Sequence, residues 1–259
     1  ARFVAYTTRL EDPDGTPASG DEGIQAAYDS SGIMGVAQNS EGLYTYTFAA
    51  KLPTGYATSA THQLGGQFRR LSALSGIEYT ANTVFAFRPD GAAVTERRQI
   101  VATETCNACH TRLGEHGGIR RDTQLCILCH NGQTVDANSG NSVDFAQLIH
   151  SIHRGENLPS VEAGEPYQII GFRNSVNDYS NVVFPQDIRR CQVCHTDAPQ
   201  ADVFKTNPTR AGCASCHNRT WFGDQDAIPE GYEAHVGGMH INDSLCSLCH
   251  TPTAPGAAP

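Results

Sequence analysis

This sequence of 259 residues has no long apolar run, no excess of basic residues and a low fraction of apolar side chains. No stretch approaches the roughly 20 apolar residues of a transmembrane helix. No charged segment followed by an apolar one opens the chain, so we expect neither a membrane span nor an uncleaved secretory leader. The net charge of −9 argues against nucleic acid or an anionic membrane surface as partner. The apolar fraction of 39% predicts a thin protein core.

Cysteine is absent before Cys106 and then occurs ten times, always within the unit Cys-x-x-Cys-His, so none is left over for a disulfide. The five units are Cys106, Cys109 and His110; Cys126, Cys129 and His130; Cys191, Cys194 and His195; Cys213, Cys216 and His217; and Cys246, Cys249 and His250. This unit is the attachment signature of c-type haem, in which both thiols bond to the porphyrin and the histidine is the proximal iron ligand. Zinc and dithiol sites are the alternatives, but neither requires a histidine after every second cysteine. The sequence therefore predicts five covalently attached haem c groups.

Methionine, the other common distal ligand, is scarce, since only Met34 and Met239 occur. Six histidines lie outside the attachment units: His62, His116, His150, His153, His235 and His240. Bis-histidine coordination is therefore predicted at all five irons. The strongest candidates are His116, His150, His153 and His235, because they lie in the cysteine-bearing part and occupy repeated or helical positions. The fifth is either His62 or His240, and for both an ordinary polar histidine is the alternative.

The uneven placement of the cysteines predicts two domains, residues 1–100 and 101–259. Short strands are predicted in the first at Arg2–Tyr6, Leu43–Phe48, Ser59–Leu64, Thr83–Phe87 and Gln99–Ala102. Turn sequences separate them, so the first domain is predicted to be a small antiparallel β-barrel or sandwich. The second is predicted to be mostly irregular, with a short helical turn at each attachment unit. One longer helix is predicted over Phe145–Arg154, capped by Asp144 and ended by Gly155.

A short element occurs twice in the cysteine-bearing part. Gly117-Gly118 and Gly237-Gly238 stand at the same spacing before Cys126 and Cys246, and both units read Leu-Cys-x-Leu-Cys-His. A histidine precedes each glycine pair, His116 directly and His235 one residue further back. The pattern predicts a duplicated haem-binding element. The doublets Arg120-Arg121 and Arg189-Arg190, each just before an attachment unit, are either propionate partners or a solvated arginine face.

The motifs resemble those of the outer-membrane decahaem c-type cytochromes of the MtrC/OmcA type. The matching text includes Thr61-His62-Gln63-Leu64-Gly65, Glu104-Thr105 before Cys106, His116-Gly117-Gly118, the segment Asp144 to His153, and Phe184-Pro185-Gln186-Asp187. The resemblance implies a split β-barrel domain followed by a pentahaem domain, with His62 as a distal ligand. It also implies that this chain, with five units instead of ten, corresponds to one half of such a cytochrome.

Five haems between Cys106 and His250 leave no room to keep the irons apart, so the arrangement is that of an electron conductor. We expect an extracytoplasmic electron-transfer protein at the cell surface, with the periplasm as second choice. The expected acceptors are a metal oxide, a soluble shuttle, another c-type cytochrome or an outer-membrane electron conduit. No catalytic residue is predicted, although outer-sphere metal reduction is compatible with this function. The alternatives are a multihaem reductase with one open iron and a homopolymer that forms a haem filament.

Overall fold

The computed structural model describes residues 2–7, 28–29, 36–40, 43–48, 57–95, 97–132 and 134–250. The chain divides into two compact units, residues 1–134 and 135–259. The first unit therefore holds two of the attachment units as well as the N-terminal strands. The predicted domain boundary near residue 100 stays a prediction.

The first unit is built on antiparallel strands. Its strands are β1 (Arg2–Thr7), β2 (Tyr28–Asp29), β3 (Val36–Ser40), β4 (Leu43–Tyr46), β5 (His62–Leu71) and β6 (Glu78–Phe87). Four of them form an antiparallel sheet in the order β2-β1-β5-β6, and β3 pairs with β4 in a separate antiparallel hairpin. The longest pairing joins β5 to β6 over ten residues of each strand. Closure of these strands into a split barrel stays a prediction.

The strands predicted at Arg2 and at Leu43 are confirmed. The strand predicted from Ser59 begins three residues later, because residues 57–60 form a turn in which the Ala60 N–H donates to the Ala57 carbonyl at 3.2 Å. The strand predicted over Thr83–Phe87 is the second half of β6. The strand predicted over Gln99–Ala102 is wrong, since the carbonyl of Ala102 accepts the first hydrogen bond of a helix instead.

Within the described part of the first unit, two helices follow the strands, α1 (Thr103–His110) and α2 (Thr123–Cys126). The Asp122 side chain caps α2 by accepting from the Gln124 N–H at 2.8 Å. Leu125 and Leu128, on and just after α2, are 2% and 1% exposed and pack against Val84 of β6. The second attachment unit is therefore fixed to the sheet by its own apolar residues.

The second unit consists of short elements. They are α3 (Phe145–Arg154), α4 (Pro159–Glu162), β7 (Gln168–Ile170), β8 (Val176–Asp178), α5 (Val203–Thr206), α6 (Arg210–Ala214), β9 (Thr220–Trp221), β10 (Glu233–Ala234) and α7 (Cys246–Cys249). Single 3₁₀ turns occur at Gly155–Asn157, Phe172–Asn174 and Cys191–Val193. Strands β7 and β8 pair antiparallel, whereas β9 and β10 pair parallel. These small sheets were not predicted, because strands of two or three residues carry no readable alternation.

Helix α3 has the predicted bounds and caps. The Asp144 side chain accepts from the Gln147 N–H at 3.1 Å, which satisfies one of the free donors of the first turn. Gly155 ends the helix with a φ of 47°, and a Cβ at this position would collide with the Val182 carbonyl oxygen. Glycine is therefore required here both by conformation and by space.

The apolar core is small, as the composition predicts. Within the described ranges, the buried apolar residues are Ala102, Leu125, Leu128, Leu158 and Tyr167. Several large apolar side chains near the attachment units are exposed instead, including Leu245, Leu248 and Ile241. Such a chain needs large apolar groups other than its own side chains to complete its interior.

Candidate haem-binding sites

Each Cys-x-x-Cys-His unit is wound into one helical turn. In four units the N–H of the histidine donates to the carbonyl of the first cysteine at 2.9 Å, and the remaining unit lies inside α1. The bonded pairs are His130 with Cys126, His195 with Cys191, His217 with Cys213 and His250 with Cys246. Residues three and four apart share a helix face, so both thiols and the imidazole project to one side. This is the placement that attachment to a single porphyrin requires.

The first attachment unit differs from the others because it forms the end of a regular helix. Cys106, Cys109 and His110 all belong to α1, and the Sγ of Cys106 lies 3.9 Å from the Ala102 carbonyl oxygen one turn earlier. Cys106 is half-buried, whereas Cys109 is exposed. Exposure is shared by one cysteine in four of the five units: Cys109, Cys194, Cys213 and Cys249. These four cysteines are therefore not enclosed by protein. Their exposure fits a surface that a porphyrin can cover.

The thiols do not have the properties of reactive or zinc-binding cysteines. Burial raises the pKa of Cys126 to about 12, and it also raises the pKa of Cys129 and Cys216, whereas reactive thiols have a lowered pKa. All ten cysteines are described, and none forms a disulfide. No three His, Cys, Asp or Glu side chains of the described residues converge as a metal site. The geometry therefore does not support the zinc or dithiol alternatives.

In three attachment units the histidine faces a second histidine from outside the unit. The ring centroids of His116 and His130 are 5.9 Å apart with 39° between the ring planes. The corresponding values are 6.2 Å and 34° for His150 and His195, and 6.2 Å and 45° for His235 and His250. With metal–nitrogen bonds of about 2 Å on each side, two imidazoles bound to one metal have ring centroids about 6 Å apart. All three pairs have the separation of axial ligands to a single iron.

Two of these pairs are formed within one short stretch of chain, in the duplicated element. In the first copy, His116 has a φ of 51° and is followed by Gly117 and Gly118 at 78° and 77°, a left-handed run that turns the chain back. The Glu115 N–H then donates to the Arg120 carbonyl at 2.9 Å. In the second copy, His235 Nδ1 lies 3.3 Å from the carbonyl oxygen of Gly238, whose φ is 82°. In both copies the glycine-containing turn positions a histidine opposite the next attachment unit.

The third pair is assembled from separate elements. His150 lies on α3, and its Nδ1 is 3.2 Å from the hydroxyl oxygen of Ser215, which follows α6. The neighbouring Ser151 donates its hydroxyl proton to the Ser215 carbonyl at 2.8 Å. Helix α3 is thus bonded to the fourth attachment unit while His150 faces His195 of the third.

Burial favours the neutral form of three of these imidazoles, those of His116, His150 and His195. It lowers the pKa of His116 to about 4, with further lowering by Arg120 and His130. It likewise lowers the pKa of His150 to about 4, with His195 and His153 contributing, and it lowers the pKa of His195. A neutral imidazole retains the nitrogen lone pair that binds a metal. These three histidines therefore have the protonation state that a metal ligand needs.

The other three candidate histidines have different surroundings. His62, at the start of β5, is 3% exposed, and its Nε2 lies 2.6 Å from the Ala57 carbonyl oxygen. His153 Nδ1 lies 2.8 Å from the Ile149 carbonyl oxygen of its own helix, which leaves Nε2 as its outer nitrogen. The ring of His240 lies 5.0 Å from that of His235 at 80°, closer and more nearly perpendicular than the three facing pairs.

Three arginines have buried nitrogen atoms with no hydrogen-bond partner within the described part of the chain: Arg121 Nη1, Arg154 Nε and Arg219 Nε. A buried charged donor without a partner is costly, so these atoms fit the carboxylates of a bound group. Arg121 belongs to one of the arginine doublets noted in the sequence. Arg154 directly follows His153 and Arg219 comes two residues after His217, and nothing else in the sequence marks these two arginines.

In the other arginine doublet, Arg189 forms an ion pair with Asp187. Its guanidinium contacts both carboxylate oxygens of Asp187, with Nη2 2.7 Å from Oδ2, and this lowers the pKa of Asp187 to about 2. Both side chains are exposed. For Arg189 the geometry agrees with a solvated surface residue.

The attachment turns, the facing neutral imidazoles and the buried arginine donors fit covalently bound haem, and together they are the features of a multihaem c-type cytochrome. Residues 98–257 match the family model of outer membrane cytochromes of the MtrC/MtrF-like type, domains II/IV. The chain belongs to this family of electron-transport cytochromes, which confirms the resemblance stated from the motifs. Membership implies covalently bound haem c.

Two relatives define the extent of the similarity. The multiheme cytochrome MtrC of Shewanella baltica (strain OS185) is 28% identical over 251 residues, which cover 89% of this chain and 31% of that protein. The crystal structure of the outer membrane decaheme cytochrome OmcA has the same fold, with a TM-score of 0.65 at 23% identity. That match covers 98% of this chain and 41% of OmcA, so the chain spans well under half the length of either relative. None of the described helices is long and apolar enough to cross a membrane.

Proposed function

We propose that the chain is a pentahaem electron-transfer module that carries electrons outside the cytoplasm, at the cell surface, to an extracellular acceptor. The acceptor is a metal oxide, another cytochrome or a soluble shuttle. The observation that carries the proposal is the set of three facing histidine pairs, each of which joins an attachment unit to a histidine outside any unit. Such pairs would hold an iron from both sides, an arrangement that suits electron transfer.

The pairs support three distal-ligand assignments. His116 would serve the haem of the second attachment unit, His150 that of the third, and His235 that of the fifth. The support is the separation of about 6 Å expected for two imidazoles on one metal. The same separation supports His130, His195 and His250 as the proximal ligands.

Two attachment units remain, the first with Cys106, Cys109 and His110 and the fourth with His217 as its proximal histidine. We assign His62 and His153 to them, without specifying which serves which. His62 is buried although it is polar, and a hydrogen bond between the Nδ1 of His153 and the Ile149 carbonyl of its own helix orients the His153 ring. His240 is left out because its ring stands edge-on beside His235 and not across from a proximal histidine.

Each haem, when bound, supplies a one-electron Fe(III)/Fe(II) couple. The protein supplies neutral imidazoles, since burial lowers the pKa of His116 and His150 to about 4. Arg121 and Arg154 would donate buried N–H groups to propionates, and Arg219, whose guanidinium is also ion-paired with Glu165, would donate its Nε–H. Histidine in place of methionine on the distal side favours low potentials.

The exposed apolar residues around the last attachment unit would border the edge of its haem at the protein surface, which favours electron exchange at that end. Leu248 is 73% exposed and Ile241 is 78% exposed, and both lie between His235 and His250 in the sequence. A partner cytochrome or a shuttle molecule can approach such a haem closely. By contrast, no observation favours the reductase or the filament alternative.

Two measurements on the purified holoprotein test the proposal together. The mass under denaturing conditions should exceed that of the polypeptide by five haems, as the five units require. Absorbance spectra should show low-spin iron in both oxidation states, with no binding of carbon monoxide. A mass increment of four haems or fewer contradicts the stoichiometry, and carbon monoxide binding to the native protein favours the reductase.

A further inference from the structure

One residue inside an attachment unit contacts a histidine assigned to a different haem. Ser215 lies between Cys213 and Cys216 and is 3% exposed. Its hydroxyl oxygen is 2.5 Å from the Gly212 carbonyl oxygen and 3.2 Å from Nδ1 of His150. His150 in turn faces His195, which belongs to the third attachment unit.

The direction of these hydrogen bonds follows from the number of protons. A carbonyl oxygen can only accept, so the single hydroxyl proton of Ser215 is donated to Gly212. The hydroxyl oxygen is then left to accept from the Nδ1–H of His150. This fixes the tautomer of His150, with the proton on Nδ1 and the lone pair on Nε2, the nitrogen that a metal ligand needs.

We propose that Ser215 is a positioning residue that sets the potential of the neighbouring haem: its hydroxyl orients His150 and strengthens it as the distal ligand of the haem held by Cys191, Cys194 and His195. This inference rests on the proposed function. A hydrogen bond from Nδ1–H to an oxygen makes the imidazole a stronger electron donor, which stabilises Fe(III) and lowers the potential. The fourth attachment unit thereby tunes the third haem.

The chain offers a matched control in the next residue of α3. Ser151 donates to the backbone carbonyl of the same Ser215 at 2.8 Å, so Ser151→Ala weakens the same helix contact without touching the Nδ1 bond. Ser215→Ala and Ser215→Gly both remove the hydroxyl, and they leave the carbonyl in place. Ser215→Thr retains a hydroxyl. A role in packing alone should be disturbed by Ser151→Ala as well, whereas a role in tuning should not.

The experiment is a redox titration of each holoprotein with absorbance and electron paramagnetic resonance detection. In Ser215→Ala the ratio of reduced to oxidised iron at a fixed potential should increase about tenfold at one haem. For a one-electron couple this corresponds to a rise in the reduction potential of about 59 mV. Ser215→Thr should restore the wild-type value, and Ser151→Ala should leave it unchanged. If Ser215→Ala does not mature with five haems, Ser215→Gly takes its place, because it removes the same oxygen together with the Cβ.

A variant in the His150→Ala background separates this inference from the proposed function. His150→Ala alone should make one haem high-spin, and if it does not, the ligand assignment itself is wrong. Where it does, adding Ser215→Ala should shift none of the four remaining potentials. The positioning role is overturned if Ser215→Ala shifts no potential in the wild-type background, or if Ser151→Ala causes the same shift.

Discussion

The second and fifth attachment units share the text Leu-Cys-x-Leu-Cys-His and almost the same histidine geometry, but they differ in what surrounds them. The facing rings are 5.9 Å apart at 39° in the first copy and 6.2 Å apart at 45° in the second. Leu125 and Leu128 are 2% and 1% exposed, whereas Leu245 and Leu248 are 54% and 73% exposed. The ligand geometry is thus determined within the duplicated element, and burial is determined by what packs on it.

The surroundings explain the difference. The first copy lies on the β5–β6 hairpin: Asn82 of β6 bonds to the chain on both sides of Arg120, and Arg120 Nε donates to Gln67 of β5 at 3.2 Å. The second copy lies near α6, where Arg210 bonds to Asp243 and to the carbonyl of His240. We infer that one local haem site has been placed in a supported position and in an exposed one, the exposed copy being suited to exchange electrons with a partner.

The largest expected effect tests what the two copies share. His116→Ala and His235→Ala should each convert one of the five proposed haems to a high-spin form that binds carbon monoxide, because each removes a distal ligand. The two variants should bind equal amounts of carbon monoxide per protein, measured from the difference spectrum. His240→Ala is the control, since its ring lies edge-on to that of His235, and it should bind none. Equal binding by His240→Ala and His235→Ala would contradict the assignment.

The sequence predicted the structure correctly where neighbouring residues alone determine it. The helix Phe145–Arg154 follows from its caps, Asp144 and Gly155, and it is confirmed at both ends. The helical turns at the attachment units are confirmed for the same reason, since five consecutive residues determine them. The facing pairs within the duplicated element also arise over about 15 residues.

The sequence was insufficient where tertiary pairing decides. Strand β5 extends through Gly65-Gly66 to Leu71, although glycine is a weak strand former. Pairing with β1 and β6 outweighs this intrinsic preference, so the sequence alone did not predict the full length of the strand. The bond between Ser215 and His150 joins residues 65 apart and has no sequence signature. The different burial of the two Leu-Cys-x-Leu-Cys-His units could not be predicted either, because their local text is the same.

A smaller effect tests the difference between the copies. Leu128→Ala should lower the free energy of unfolding by about 2–5 kcal/mol, as removal of a buried leucine side chain does. Leu248→Ala should change it by no more than about 0.5 kcal/mol, since exposed positions contribute little. Guanidinium unfolding of both holoproteins measures these free energies, provided that the free energy of unfolding depends on denaturant concentration with the same slope in both. Equal losses would mean that Leu248 is covered in the haem-bearing protein, and the contrast in burial would not hold.

The smallest effect concerns the polar contacts that hold each copy in place. Asn82 donates to the Ile119 carbonyl at 3.0 Å and accepts from the Arg121 N–H at 2.7 Å, so Asn82→Ala leaves two backbone groups without this partner. The expected cost is about 1–3 kcal/mol. Asp243 accepts from Arg210 Nε at 2.7 Å, but both side chains are 35% exposed. Its loss in Asp243→Ala should therefore cost about 0–1 kcal/mol.

Salt separates these two contacts by their physical origin. The ion pair of Arg210 and Asp243 is partly exposed, so its contribution should largely disappear near 1 M salt, where the screening length falls to about 3 Å. The cost of Asp243→Ala should then fall to that of the hydrogen bond that Asp243 Oδ1 also accepts from the Arg210 backbone N–H at 3.1 Å. Asp243→Asn, which removes the charge but keeps an oxygen acceptor, should differ from wild type only at low salt. The cost of Asn82→Ala should be the same at both ionic strengths, because neutral hydrogen bonds are not screened. An Asn82→Ala cost that decreases with salt as steeply as that of Asp243→Ala would show that the first copy is held by charge and not by its fit to the β-hairpin.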